Sequence, residues 1–273
     1  MGVLIVAVLF WFGRTSSPKS NTKVNQVSSI QNELTSDSIL FHARERLTPE
    51  QATYISSLEQ SVTRGDIQKQ KLEVLHQLAH FWKDSARLFE PYAWYEAESA
   101  RLENSEKTLT FAAHLFLENL RTEQNDQLKK WKALQAKDLF ERSLKLNDKN
   151  DSTLVGLGAC YIFGNIAENP MEGILKVRQV ADKDSTNVFA QMVLGHGSFI
   201  SEQYDKAIDR FGKVVTIQPN NLEAILMMAE VYERKADKNN AVKWYTNALP
   251  IANSAELSIA LKKRIEELKK QTD

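Results

Sequence analysis

The chain lacks most of what announces chemistry. It has one cysteine, Cys160, so no internal disulfide can form and the compartment is not identified by thiol usage. Glycine and proline are scarce, at 10 and 6 of 273 residues, and no alternating apolar and polar run of useful length suggests a strand. Without a strand there is no setting for a glycine-rich phosphate loop or a G-x-S-x-G nucleophile elbow, and neither motif occurs. Net charge is lacking too, since 35 Lys and Arg balance 35 Asp and Glu. That balance provides no general field for nucleic acid, so none is expected as a partner.

What is present is helical periodicity with a fixed repeat. Ala207 and Ala241, Phe211 and Tyr245, and Ser198 and Tyr232 are each 34 residues apart. Leu194-Gly195 aligns with Met228-Ala229 by the same step. One period earlier, Gly173, Val177, Val180 and Ser185 precede Ala207, Phe211, Val214 and Pro219 by 34. Leu154, Leu157-Gly158 and Tyr161 precede Gln191, Leu194-Gly195 and Ser198 by 37, which places three extra residues in the turn-forming stretch 164–170. Small residues at Gly158, Gly195, Ala207 and Ala241 allow close helix approach, and Phe211 and Tyr245 fill the space between helices. Gln191 and Ser198 stand where large residues are expected, and Gly173 and Val177 are weak substitutes at their positions.

These residues resemble the tetratricopeptide repeat (TPR) family, in which a large residue, Leu-Gly and an aromatic mark the first helix of a pair and Ala and an aromatic mark the second. The resemblance is specific over 151–255 and loose over 66–150. There, Ala112, Ala113 and Phe116 pair with Ala136, Phe140 and Ser143, and 72–86 with 92–102 form a more degenerate pair. The resemblance implies an all-α, right-handed solenoid of helix hairpins that binds proteins rather than an enzyme. No cofactor is expected. Non-repeat helices are expected over 30–65, one of them starting at the capping sequence Thr48-Pro49-Glu50-Gln51. A capping helix over 256–273 carries the stripe Leu257, Leu261, Ile265 and Leu268.

The first residues differ in kind. Gly2 to Gly13 is an unbroken apolar run, followed by a polar linker over 14–29. As a helix it spans about 18 Å, short of a hydrocarbon core of about 30 Å. A single membrane anchor, a cleaved signal peptide and a buried helix all fit the run; the anchor fits best, because a polar tether follows and no A-x-A cleavage site does. Arg14, Lys19 and Lys23 beyond the run lean the repeats towards the cytoplasm, and basic residues upstream would reverse that. The expectation is a membrane-associated adaptor resembling TPR scaffolds of bacterial envelopes, with a periplasmic accessory of envelope biogenesis or secretion as the alternative topology.

In the family, first helices line a concave groove. Helical spacing puts Phe189, Met192, His196 and Phe199 on that face, with Ser152, Val155, Ala159 and Ile162 one repeat earlier. One repeat later the face holds Glu223, Leu226, Glu230 and Glu233. The Lys, Asn and Arg positions that clamp a chaperone's terminal carboxylate in some family members hold none of those residues here. An amphipathic partner segment with apolar anchors and basic residues is expected instead, at Val155, Phe189, Met192, His196, Phe199, Leu226, Glu230 and Glu233. The same apolar residues also suit ordinary packing between repeats, or a homo-oligomer that closes the groove. His76 and His80 share a helix face and raise a metal-dependent enzyme as a further alternative. However, Gln77 stands where a zinc peptidase needs Glu, and no third ligand is nearby.

Overall fold

The computed structural model describes residues 34–64, 68–166 and 170–270. The apolar run at 2–13 and its linker lie outside them. Among the described residues there are thirteen α-helices and no strand, and no helix is long and apolar enough to cross a membrane.

Two short helices come first, α1 (Ser36–Arg44) and α2 (Pro49–Arg64). Thr48 and Gln51 cap α2 reciprocally: the Thr48 N–H donates to Gln51 Oε1 at 3.1 Å, and the Gln51 N–H to Thr48 Oγ1 at 3.3 Å. Five hairpins follow. They are α3 (Gln68–His80) with α4 (Phe89–Glu103), α5 (Glu106–Leu120) with α6 (Asp126–Leu146), and α7 (Asp151–Phe163) with α8 (Met171–Lys183). The last two are α9 (Val188–Ile200) with α10 (Tyr204–Ile217) and α11 (Leu222–Arg234) with α12 (Lys238–Ala248). Helix α13 (Ala255–Lys270) ends the stack, burying Leu261, Ile265 and Leu268.

The core runs as a ribbon along this stack. One buried cluster joins Leu40, Ile55, Leu78, Trp82 and Tyr95 over α1–α4, and a second extends from Ile39 on α1 and Ala93 on α4 to Leu194 on α9. A third joins Met192, Phe211 and Met228, and a fourth joins Ile225, Ala248 and Leu261 under α13. Each hairpin completes its interior only against its neighbours, as a linear array requires.

The small residues mark the tightest approaches. A Cβ on Gly158 would lie 2.7 Å from the Gly173 carbonyl oxygen, and one on Gly173 would lie 2.5 Å from that of Gly158. Here α7 and α8 meet backbone to backbone, so Gly173 is the matching partner of Gly158 rather than a weak substitute. At Gly195 the space is taken by a ring instead: a Cβ there would lie 2.6 Å from Phe211. Gln191, in a large-residue position, is buried with both ends satisfied. Its Nε2 donates to the Ser185 carbonyl at 2.9 Å, and Arg210 donates to its Oε1 at 2.9 Å.

Two further periodic devices appear. Asn150, Asn187 and Asn221 precede the first helices α7, α9 and α11, and each accepts the N–H three residues on, at 2.9–3.0 Å. Asn165, Glu202 and Ala236 all adopt left-handed φ, of 51°, 58° and 58°, in the turns after those helices. They keep the 37- and 34-residue spacing, so the three extra residues of the α7–α8 hairpin fall after Asn165.

Candidate functional site

The stack curves so tightly that α5 meets α9 across α7. The His114 ring on α5 lies 5.6 Å from that of Phe189 on α9, centroid to centroid. Arg121, one residue past α5, reaches His196 on α9 at 2.7 Å and also Glu223 on α11. Helix α7 therefore forms the floor of a groove whose walls are α5 on one side and α9 and α11 on the other.

Two adjoining concavities make up this groove. One, of about 490 Å³, has apolar walls including Leu117, Ala159, Phe163, Phe189 and Met192. The other, of about 940 Å³, is lined by Ile162, Phe199, Met227 and several charged residues. Glu118, Arg121, Phe163, His196 and Glu223 border both.

At this waist a single carboxylate gathers two bases. His196 Nε2 lies 3.0 Å from Glu223 Oε1, the same oxygen that Arg121 holds. With one position on Nε2, the imidazole donates to the carboxylate or accepts from Arg121, not both. The hydrogen bond from His196, opposed by burial and reinforced by Arg121, brings the Glu223 carboxyl down to about 2. Burial pushes the His114 imidazole down from its ordinary value, with Glu118 opposing.

Of the eight residues the sequence nominates, Phe189, Met192 and His196 line the smaller concavity, and His196, Phe199 and Glu230 the larger. Val155 is fully buried, because α5 and α9 close over α7. Leu226 packs with the cluster beneath α13. Glu233 is held by Arg264 of α13 and accepts from Tyr245 Oη at 3.0 Å. His114 and Glu118 on α5, and Arg121 just past it, are not legible in the repeat pattern. Arg121 follows the helix end, and its reach to α11 depends on curvature.

Elsewhere, Cys160 is buried and burial pushes its thiol up, which suits packing and not nucleophilic work. His80 is exposed and lies 3.5 Å from Asp84. Among the described residues no group of three or more His, Cys, Asp or Glu is placed to hold a metal ion.

No protein-family model matches the chain, and no curated protein matches it by sequence. Solved structures that align with it include a MamA protein, at 15% identity over 66% of this chain and 91% of that one, with a TM-score of 0.45. Another is MamA from Desulfovibrio magneticus RS-1, at 19% identity over 68% and 96%, with a TM-score of 0.45. A third is YrrB, described as a TPR protein with an unusual peptide-binding site, at 15% identity over 76% and 97%, with a TM-score of 0.44. Likeness at this level says nothing about partner or chemistry.

Proposed function

We propose that the chain is a TPR-type scaffold, a right-handed solenoid that holds a segment of a partner protein in the groove between α5 and α9/α11. The observation that carries this reading is the pair of adjoining concavities, one apolar and one charged, at the convergence of three first helices. A helix with an apolar and a charged residue one turn apart on the same face presents those two characters side by side, and helix-in-groove docking uses anchors at such spacing. We further propose that residues 2–13 tether the stack to a membrane, as their unbroken apolar sequence supports.

The binding reading is tested by photo-crosslinking in cells, with the reactive residue placed at Phe189 or Phe199 in the groove or at exposed Leu175 on α8. A discrete protein adduct from the groove positions, absent from Leu175, is expected. Equal adducts from all three, or none from the groove, would remove the reading. An alkaline phosphatase fusion after Asp273 tests the topology: an inactive fusion is expected if the repeats face the cytoplasm, and an active one would place them outside it.

A further inference from the structure

The lining of the groove is short of cations. Glu118, Asp126, Glu223 and Glu230 face the larger concavity together with only Arg121 and Lys129 as permanent positive charges. Among the described residues the carboxylates of Glu118, Asp126 and Glu230 make no side-chain hydrogen bond or ion pair, whereas that of Glu223 is held at once by Arg121 and His196. A cationic partner would offset this excess, and an anionic one would add to it.

The waist also shows what kind of cation fits. A guanidinium already sits there, on the Glu223 carboxylate, and Glu118 and the Phe163 ring border the same space. That guanidinium comes from the α5–α6 connection, from a residue past the helix end, and its side chain keeps 37% of its surface exposed. An ion pair this exposed contributes little to stability, so an incoming group of the same chemistry can replace it at small cost. Arginine also presents the planar fork that matches a carboxylate.

We propose that the waist is a seat for an arginine or lysine side chain of the partner segment, formed by Glu118 and Glu223 beside Phe163, and that Arg121 is its resident occupant in the free protein. This rests on the groove-binding function above. The partner's cation takes the place of Arg121 on Glu223, while an apolar residue one helical turn away enters the smaller concavity between Phe189 and Met192. Arg121 then competes with the partner, and its carboxylate-bound state is a built-in brake on binding.

The test uses the full chain and three fluorescein-labelled synthetic peptides. Each is amphipathic and helix-forming, with a leucine four residues from a central position that is Arg, Gln or Glu. Fluorescence anisotropy is expected to rank them Arg, Gln, Glu, with about tenfold between the extremes and a narrower gap at high salt. Arg121→Ala is expected to tighten the Arg peptide several-fold. Glu118→Gln with Glu223→Gln is expected to abolish the ranking, with circular dichroism confirming an intact helical fold. Tighter binding of the Glu peptide, or weaker binding of the Arg peptide to Arg121→Ala, would overturn the seat and make Arg121 a receptor for carboxylates. Equal binding of all three peptides, lost on Phe199→Glu, would overturn the seat and leave the groove reading standing. Absence of binding by any peptide would overturn both.

Discussion

The two halves of the stack solve one packing problem by different means. From α7 to α12 the devices recur: an asparagine cap, a small residue at each close approach, and a left-handed turn after each first helix. From α3 to α6 the pattern differs: the asparagine cap, Asn125, precedes a second helix, and left-handed φ occurs at Arg87 and again at Asn104, after a second helix. A π-helical turn, Phe81–Ser85, interrupts the first hairpin and buries Trp82, whose indole N–H has no hydrogen-bond partner among the described residues. Lys132 on α6 is buried with its ammonium 2.6 Å from Asn119, 2.5 Å from Glu123 and 2.9 Å from Glu90. Arg44, Glu59 and Tyr95 tie the preceding helices to α4. Recurrent packing is legible as a period, and single-use polar networks are not. The irregular half nonetheless supplies Arg121 and Glu118 to the groove.

The contrast can be broken most forcefully at its tightest point. Gly158→Val places a side chain against both Val177 and the Gly173 carbonyl, where backbone cannot yield, and is expected to cost about 3 kcal/mol or more. Chemical denaturation measures it. A loss under 1 kcal/mol would mean that α7 and α8 are not in backbone contact.

Lys132→Met tests the irregular half. Removing the ammonium leaves Glu90, Glu123 and Asn119 without their common partner, at a cost of about 3 kcal/mol near neutral pH. The pH dependence has a definite sign. Burial raises the Glu123 carboxyl, but hydrogen bonds from Lys132 and from the backbone outweigh it, so its value is lowered on folding. Its contribution is therefore present above the ordinary glutamate range and is lost as pH falls through the lowered value. The deficit of Lys132→Met relative to the parent should shrink as pH falls below about 4. A deficit that grows on acidification would contradict the network.

The caps sharpen the comparison. Asn150→Ala, Asn187→Ala and Asn221→Ala should each cost about 1 kcal/mol, nearly equally, because the three caps share one geometry. Unequal losses would show that the regular half is less uniform than its hydrogen bonds. Smallest of all, Ala236→Gly should gain about 0.5–1 kcal/mol by relieving left-handed strain, as a rise in melting temperature. A fall would mean that the entropy lost by glycine on folding dominates.

How much of this the sequence carried follows from the physics of each feature. The helix pairs over 151–255 follow from Gly158, Ala207, Ala241 and Phe211, whose sizes answer to local packing. Phe189, Met192 and His196 follow from helical spacing and do border the groove. Val155 has the same spacing but is covered, because the curvature that brings α5 to α9 is a sum over several interfaces. Glu233 is claimed by Arg264, a partner 31 residues on whose reach no periodicity announces. The asparagine caps were written in the sequence at 150, 187 and 221, and a search for capping residues at the repeat period would have found them. The turns at Glu202 and Ala236 were not, since neither residue type favours left-handed backbone.

The central claim is that the inner helices of this stack hold a partner segment. Amide hydrogen exchange of the full chain, free and saturated with the central-arginine peptide, tests it most directly. Added protection is predicted along the inner turns of α5, α9 and α11, with α8, α10 and α12 unchanged. Protection concentrated on those outer helices, with the inner ones unaltered, would contradict it.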